Sequence, residues 1–176
     1  PSISVNLSSN QFKKQDVTKL VKQALFETGL PASRLTLEIT ESLLVNDDES
    51  TLSQLEQLRA LGVSLSIDDF GTGYSSLSYL KKFPINYLKI DKSFVMDLVL
   101  DKESRALIEG ILSMAKSLQL DVIAEGVETQ AQAVFLKSLS CPYGQGYLYS
   151  KPLATDHFQK YLLAHKITTK STSFSR

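Results

Sequence analysis

The hydrophobic pattern of the chain switches repeatedly between two periods. Ser2–Leu7 (SISVNL) alternates as a half-buried strand does, and Gln11–Thr28 then puts Val17, Leu20, Val21, Ala24 and Leu25 on one face of a helical period. Gly29 and Pro31 stop that helix. Leu35–Ile39 (LTLEI) is the next expected strand, and Leu52, Leu55, Leu58 and Leu61 form the stripe of a helix that Gly62 closes. Val63–Ile67 is a strand, followed by a glycine loop and a short helical piece around Leu77 and Leu80; Tyr87–Ile90 is another strand. Leu107, Ile108, Ile111, Leu112 and Ala115 mark a long amphipathic helix. Asp121–Ala124 leads into a helix carrying Val134 and Phe135, and Gly146–Tyr149 into a last one carrying Phe158, Tyr161 and Leu162. Residues 1–167 read as one domain, and the Ser/Thr-rich 168–176 as a fraying tail.

Strands alternating with helices predict parallel βαβ units with right-handed crossovers, in an open doubly wound sheet or a closed barrel. Polar residues near the strand ends decide between them. Asn6, Glu38, the pair Asp68 and Asp69, Lys89 with Asp91, Glu125 and Gln145 all sit near the carboxyl ends of successive strands. Residues converging from many strand ends suit the mouth of a TIM-type (β/α)8 barrel, whereas an open sheet collects its ligand at one switch point. Only six units are legible, and a complete barrel takes about 250 residues. The expectation is therefore an α/β barrel lacking its first two units, ahead of Pro1.

Composition narrows the function. With 176 residues, 43% of them hydrophobic, the chain can bury a core. Lys plus Arg equals Asp plus Glu at 19 each, so no net field draws it to a DNA or RNA polymer or to an anionic membrane. The single Cys141 leaves no internal disulfide and no cysteine-based zinc cluster. It reads as a small, buried hydrophobe in a reducing, cytoplasmic setting. No apolar run reaches the roughly 18 residues of a membrane span. A membrane anchor in a longer parent chain is compatible with this reading.

Asn6, Glu38, Asp68, Asp69 and Glu125 form an all-oxygen set, which favours Mg²⁺, Mn²⁺ or Ca²⁺ over zinc or copper. So many carboxylates in one mouth repel one another unless cations neutralise them, and two divalent ions do so. Paired ions roughly 3.5 to 4 Å apart are suited to phosphodiester hydrolysis, with Lys89 orienting water or steadying negative charge. Each strand-end acid taken singly is more often a helix cap or surface charge; the recurrence of six such ends argues otherwise. Asp69-Phe70-Gly71 echoes a kinase motif without the accompanying nucleotide loop, and Gly71-Thr72-Gly73 lacks the Gly-Lys-Ser/Thr of a P-loop. His157 and His165 receive no role.

The runs SVNLS (4–8), LEITES (37–42), IDDFGTGYSSL (67–77), LKID (88–91), AEGVET (124–129) and QGYLYSKPL (145–153) together resemble the EAL domain. That family comprises bacterial phosphodiesterases that open cyclic di-GMP to linear pGpG. The resemblance implies Asn6, Glu38, Asp68 and Asp69 as metal ligands, with Asp68 shared, and Glu125 in metal binding or water activation. It implies Lys89 beside the attacking water, Gln145 near the substrate phosphate, and Thr40 and Asp91 on the substrate side. Glu41 resembles the glutamate that anchors the DFGTG loop, in which Gly71 and Gly73 supply backbone freedom and which the family couples to dimerisation. Two Mg²⁺ or Mn²⁺ ions, a homodimer, and a sensor or diguanylate-cyclase-like domain in the parent chain are further implications.

One departure matters. The Glu-Ala-Leu run that names the family, with its following arginine, is absent. That glutamate is a metal ligand in the family, so the resemblance implies that this segment alone binds metal poorly. Two rival readings stand beside the enzyme: a catalytically silent cyclic di-GMP sensor acting through a partner domain, and a remnant or swapped assembly in which a second chain completes the barrel.

Overall fold

In the computed structural model, residues 1–44, 49–72 and 77–164 are described; Gly73, His165 and the 168–176 tail lie outside them. The strands are β1 (Ile3–Leu7), β2 (Leu35–Thr40), β3 (Ser64–Phe70), β4 (Tyr87–Ile90), β5 (Asp121–Ala124) and β6 (Tyr143–Gly144). Between and after them run α1 (Ser9–Lys14), α2 (Val17–Thr28), α3 (Glu41–Leu44), α4 (Glu49–Ala60), α5 (Leu77–Lys82), α6 (Lys92–Met96), α7 (Lys102–Ser117), α8 (Gln130–Ser138) and α9 (Thr155–Ala164). The six strands form one parallel sheet in the order β1-β2-β3-β4-β5-β6. This is the α/β arrangement of an incomplete barrel, with helical crossovers joining sequential strands.

Register and pleat give the two faces opposite chemistry. Ile39, Ile67, Leu88 and Val122 follow one another across β2 to β5 and are buried, as are the pair Leu37 and Leu65 and the row Phe70, Ile90 and Ala124. This outer face packs against buried residues of the surrounding helices, among them Val17 and Val21 of α2, Leu55 and Leu58 of α4, and Ile108, Ile111 and Ala115 of α7. The opposite face carries Asn6 beside Glu38, Glu38 beside Ser66, Ser66 beside Tyr87, and Thr40 beside Asp68. It corresponds to the lumen of a closed barrel. Cover thins at the sheet's first edge, where Ile3 and Val5 of β1 are 53% and 42% exposed although they share the apolar outer face.

Four expectations shift. The helix expected over Gln11–Thr28 is two, because Asp16 accepts from the Lys19 N–H and so caps a new start at Val17. The Ser8 and Gln11 capping box opens the earlier helix, α1. Leu20 and Ala24, expected on the buried stripe, are exposed, while Val17 and Val21 carry the burial. The sixth strand lies at Tyr143–Gly144, ahead of the alternating Gly146–Tyr149, which forms a turn with the Tyr149 N–H donating to the Gly146 carbonyl. Cys141 is only partly buried; burial, against hydrogen bonds to nearby backbone, raises its thiol pKa. No helix among the described residues is long and apolar enough to cross a membrane.

Candidate active site

Adjacent residues on a regular strand point to opposite faces, so Asp68 and Asp69 should diverge. Their pairing explains why they do not. Ile67 pairs with Leu88 and Phe70 with Ile90, so three steps along β3 match two along β4: a bulge at the two aspartates. Asp69 takes the left-handed conformation, φ 53°, which Asp tolerates better than most side chains. One carboxylate oxygen each from Asp68, Asp69 and Glu125 then lie within 4.8 Å of one another. Asp69 is exposed, while Asp68 and Glu125 are half-buried.

Lys89 of β4 rises from the lumen face into this cluster and is 3% exposed. Its Nζ donates to Glu38 Oε2 at 2.6 Å and to Asp68 Oδ1 at 2.9 Å, and pairs with Glu125 Oε1 at 2.7 Å. Burial alone lowers a lysine pKa; here the hydrogen bonds from Asp68, Glu125 and Glu38 outweigh it and the net shift is upward. Lys89 therefore stays an ammonium at neutral pH. Burial, with repulsion from Asp68 and Glu38 set against Lys89, holds the Glu125 carboxyl above its usual range. Asp69 is raised by burial and by repulsion from Asp68 and Asp91.

The other expected site residues take distinct places. Asn6 is exposed on the lumen face directly beside Glu38. Thr40 lies beside Asp68 in register, its hydroxyl 3.0 Å from that of Ser42. Asp91 caps α6, accepting from the Ser93 N–H at 2.9 Å and from the Ser93 hydroxyl. Its carboxyl is lowered on balance, burial being outweighed by the Ser93 bonds. Gln145 is exposed just past β6, where its N–H donates to the Ala124 carbonyl and its carbonyl accepts from the Val127 N–H. Glu41 stands apart at the start of α3, both carboxylate oxygens buried with no hydrogen-bond partner among the described residues. Gly71 follows the bulge with φ +98°, a conformation that strains other residues, beside the Phe94 ring.

Two residues outside the expected set bear on the site. Gln132 is a buried amide joining the loop after Glu125 to α6, and Thr129-x-x-Gln132 is a capping box visible in the sequence. Ser66 is fully buried between Glu38 and Tyr87 with its hydroxyl unpartnered, and no local motif marks it.

The donor set fits hard divalent cations. Three carboxylate oxygens converge without a histidine or cysteine, around a single ammonium.

A family model described as the EAL domain matches residues 1–152. The cyclic di-GMP phosphodiesterase NbdA of Pseudomonas aeruginosa is 43% identical over 164 residues, 93% of this chain and 21% of NbdA. The bifunctional diguanylate cyclase/cyclic di-GMP phosphodiesterase MucR of the same species is 45% identical over 155 residues, 88% of this chain and 23% of MucR. The structure of the P. aeruginosa MucR phosphodiesterase in complex with c-di-GMP superposes with a TM-score of 0.85 at 44% identity, covering 89% of this chain and 64% of that one. The manganese and cyclic di-GMP complex of Klebsiella pneumoniae BlrP1 gives 0.79 at 30% identity, covering 86% and 39%. The chain thus spans about a fifth of the curated relatives' length and under two thirds of those solved chains.

Proposed function

The chain belongs to the EAL domain family, and from that premise we propose that it forms the catalytic portion of a metal-dependent phosphodiesterase hydrolysing cyclic di-GMP to linear pGpG. The observation that carries the reading is the bulge that turns Asp68 and Asp69 to one cluster with Glu125, beside a triply paired Lys89. Relatives named for this activity, and a relative's complex with manganese and cyclic di-GMP, support the substrate and the ion class.

In this reading Asn6, Glu38, Asp68, Asp69 and Glu125 hold two Mg²⁺ or Mn²⁺ ions, with Asp68 shared between them. Such ions, when bound, make water more acidic and offset charge on the phosphate. Lys89 contributes a fixed positive charge that orients the attacking water and steadies the phosphate oxygens. Glu125, whose carboxyl is raised, takes a proton from that water. The water oxygen bonds to phosphorus as the P–O3′ bond breaks, the leaving 3′ oxygen takes up a proton from solvent to become a hydroxyl, and the ring opens with one phosphate left at a 5′ end. Gln145 donates to a phosphate oxygen, and Thr40 and Asp91 meet the nucleotide. Glu41, whose buried carboxylate has no hydrogen-bond partner among the described residues, anchors the loop that Gly71 opens. The working unit is a homodimer in the cytoplasm, within a parent chain that carries a sensor or diguanylate-cyclase-like domain.

Incubation with cyclic di-GMP and Mn²⁺, with pGpG resolved by chromatography, tests this. Product formation that stops on chelation is expected. Binding of cyclic di-GMP without turnover, while an authentic phosphodiesterase cleaves it alongside, supports the sensor instead.

A further inference from the structure

Glu125 opens a loop, 125–129, between the end of β5 at Ala124 and the start of α8 at Gln130. The Glu125 N–H donates to the Ile90 carbonyl of β4 and the Val127 N–H to the Gln145 carbonyl, which holds the first half of the loop and leaves Glu128 and Thr129 to be fixed from elsewhere while the Glu125 carboxylate meets Lys89 at 2.7 Å. Gln132 is 5% exposed and spends its whole side-chain amide on this task. Its Oε1 accepts from the Glu128 and Thr129 N–H groups, both at 2.8 Å. Its Nε2 donates to the Val95 and Met96 carbonyls of α6, at 2.9 and 3.3 Å. The same loop packs on the start of α6, where a Cβ at Gly126 would come within 2.6 Å of Lys92 Cβ. That same start of α6 is capped by Asp91, which directly follows Ile90, the pairing partner of Phe70 next to Asp69. One short helix therefore lies between the two acids that strand geometry alone does not place, and Gln132 ties its last turn to the Glu125 loop.

We propose that Gln132 is a positioning residue: by bridging the 125–129 loop to α6 it sets Glu125 against Asp68 and Asp69, and so sets the affinity of the acidic cluster for divalent metal. A buried amide that only capped α8 would need its Oε1 and nothing from α6. The two carbonyls it also satisfies are the end of a helix whose start follows the strand pair that positions Asp69, which is what a role in site geometry requires. The proposal rests on the metal-dependent reading above and adds a residue that touches neither metal nor substrate.

Two variants of the full chain separate bridge from cap. Gln132→Glu keeps an oxygen acceptor for the Glu128 and Thr129 N–H groups but has no N–H for the α6 carbonyls. Thr129→Ala weakens the α8 cap and leaves the bridge intact. Mn²⁺ is titrated into each, into the millimolar range, with melting followed in parallel. The expected result is about a tenfold loss of Mn²⁺ affinity for Gln132→Glu, the scale seen when groups supporting metal ligands are removed. Thr129→Ala should keep wild-type affinity. Equal affinity in the two variants overturns the proposal. Amide exchange on the wild-type chain provides a readout independent of variant folding: the Glu128 and Thr129 N–H groups should gain protection when Mn²⁺ binds, and unchanged exchange overturns the proposal. Wild-type protein that takes up no Mn²⁺ at all overturns the metal-dependent reading, and with it this one; wild-type uptake with an indifferent Gln132→Glu overturns this one alone.

Discussion

Lys89→Met tests whether the acids around Lys89 are as mutually repulsive as their geometry states. Methionine keeps most of the stem's volume and deletes the ammonium, leaving Glu38, Asp68 and Glu125 with no cation where each now has one within 2.9 Å. The four side chains are between 4% and 18% exposed, so solvent screens the loss only weakly. Removing one partner of a buried ion pair costs about 3–5 kcal/mol. For a domain of this size that lowers the melting temperature by roughly 6–20 °C. The deficit must shrink in acid. Burial raises the Glu125 carboxyl even with Lys89 holding it down, so losing the ammonium raises it further; a group raised in the folded state contributes stability that is complete below its unfolded pKa and lost as pH rises through the folded one. Each unit of elevation returns about 1.4 kcal/mol on protonation. Mn²⁺ should also restore stability, since a divalent ion replaces the missing charge. The assay is urea denaturation of both proteins at pH 7 and pH 5, in chelator and in Mn²⁺. A loss below about 1 kcal/mol at pH 7 in chelator, or a deficit indifferent to pH, refutes the reasoning, because either outcome means the carboxylates do not need the ammonium.

Other perturbations probe separate parts of the arrangement. Asp69→Asn retains a residue that accepts the left-handed φ of 53° and removes one charge repelled by Asp68 and Asp91; in chelator it should melt no lower than wild type, whereas the melting increase on adding Mn²⁺ should fall, and an undiminished increase removes Asp69 from the ligand set. Gly146→Ala drives a Cβ into the Val127 backbone, which cannot swing aside as a side chain can; a loss of about 1–3 kcal/mol in urea unfolding is expected, with a free energy within error of wild type as the contrary result. Wild-type chain in chelator should gain stability as pH falls from neutrality toward the ordinary carboxylate range, because burial raises both Glu125 and Asp69 on folding. Asp91 is lowered and opposes them at the acid end of that window, losing stability as pH falls through its folded pKa. Saturating Mn²⁺ should flatten the profile between pH 7 and pH 5, and a profile unaltered by metal would separate these carboxyls from metal binding.

What the sequence disclosed and what it withheld divide along local and non-local lines. Period switching located five of the six strands, and polar strand ends named the acids that meet, because both depend on a few neighbouring residues. The pairing of β3 with β4 determines the bulge, and nothing between Ser64 and Phe70 announces that Phe70 will align with Ile90. Alternation at Gly146–Tyr149 suggested a strand, yet Val127 pairs with both Gln145 and Leu148, and that contact folds the segment into a turn. Gln132 is the intermediate case. Its capping box with Thr129 is readable, but its other two bonds reach residues 36 and 37 positions earlier, so its bridging role exists only once α6 and α8 are packed. Strand ends deliver Glu38, Asp68 and Lys89 directly, while Asp69 depends on a register slip and Glu125 on a loop held by a distant amide. The acids whose carboxyls stand above their usual range are these last two, so the metal affinity of the cluster should respond to the loop and helix around it more than to the sheet beneath.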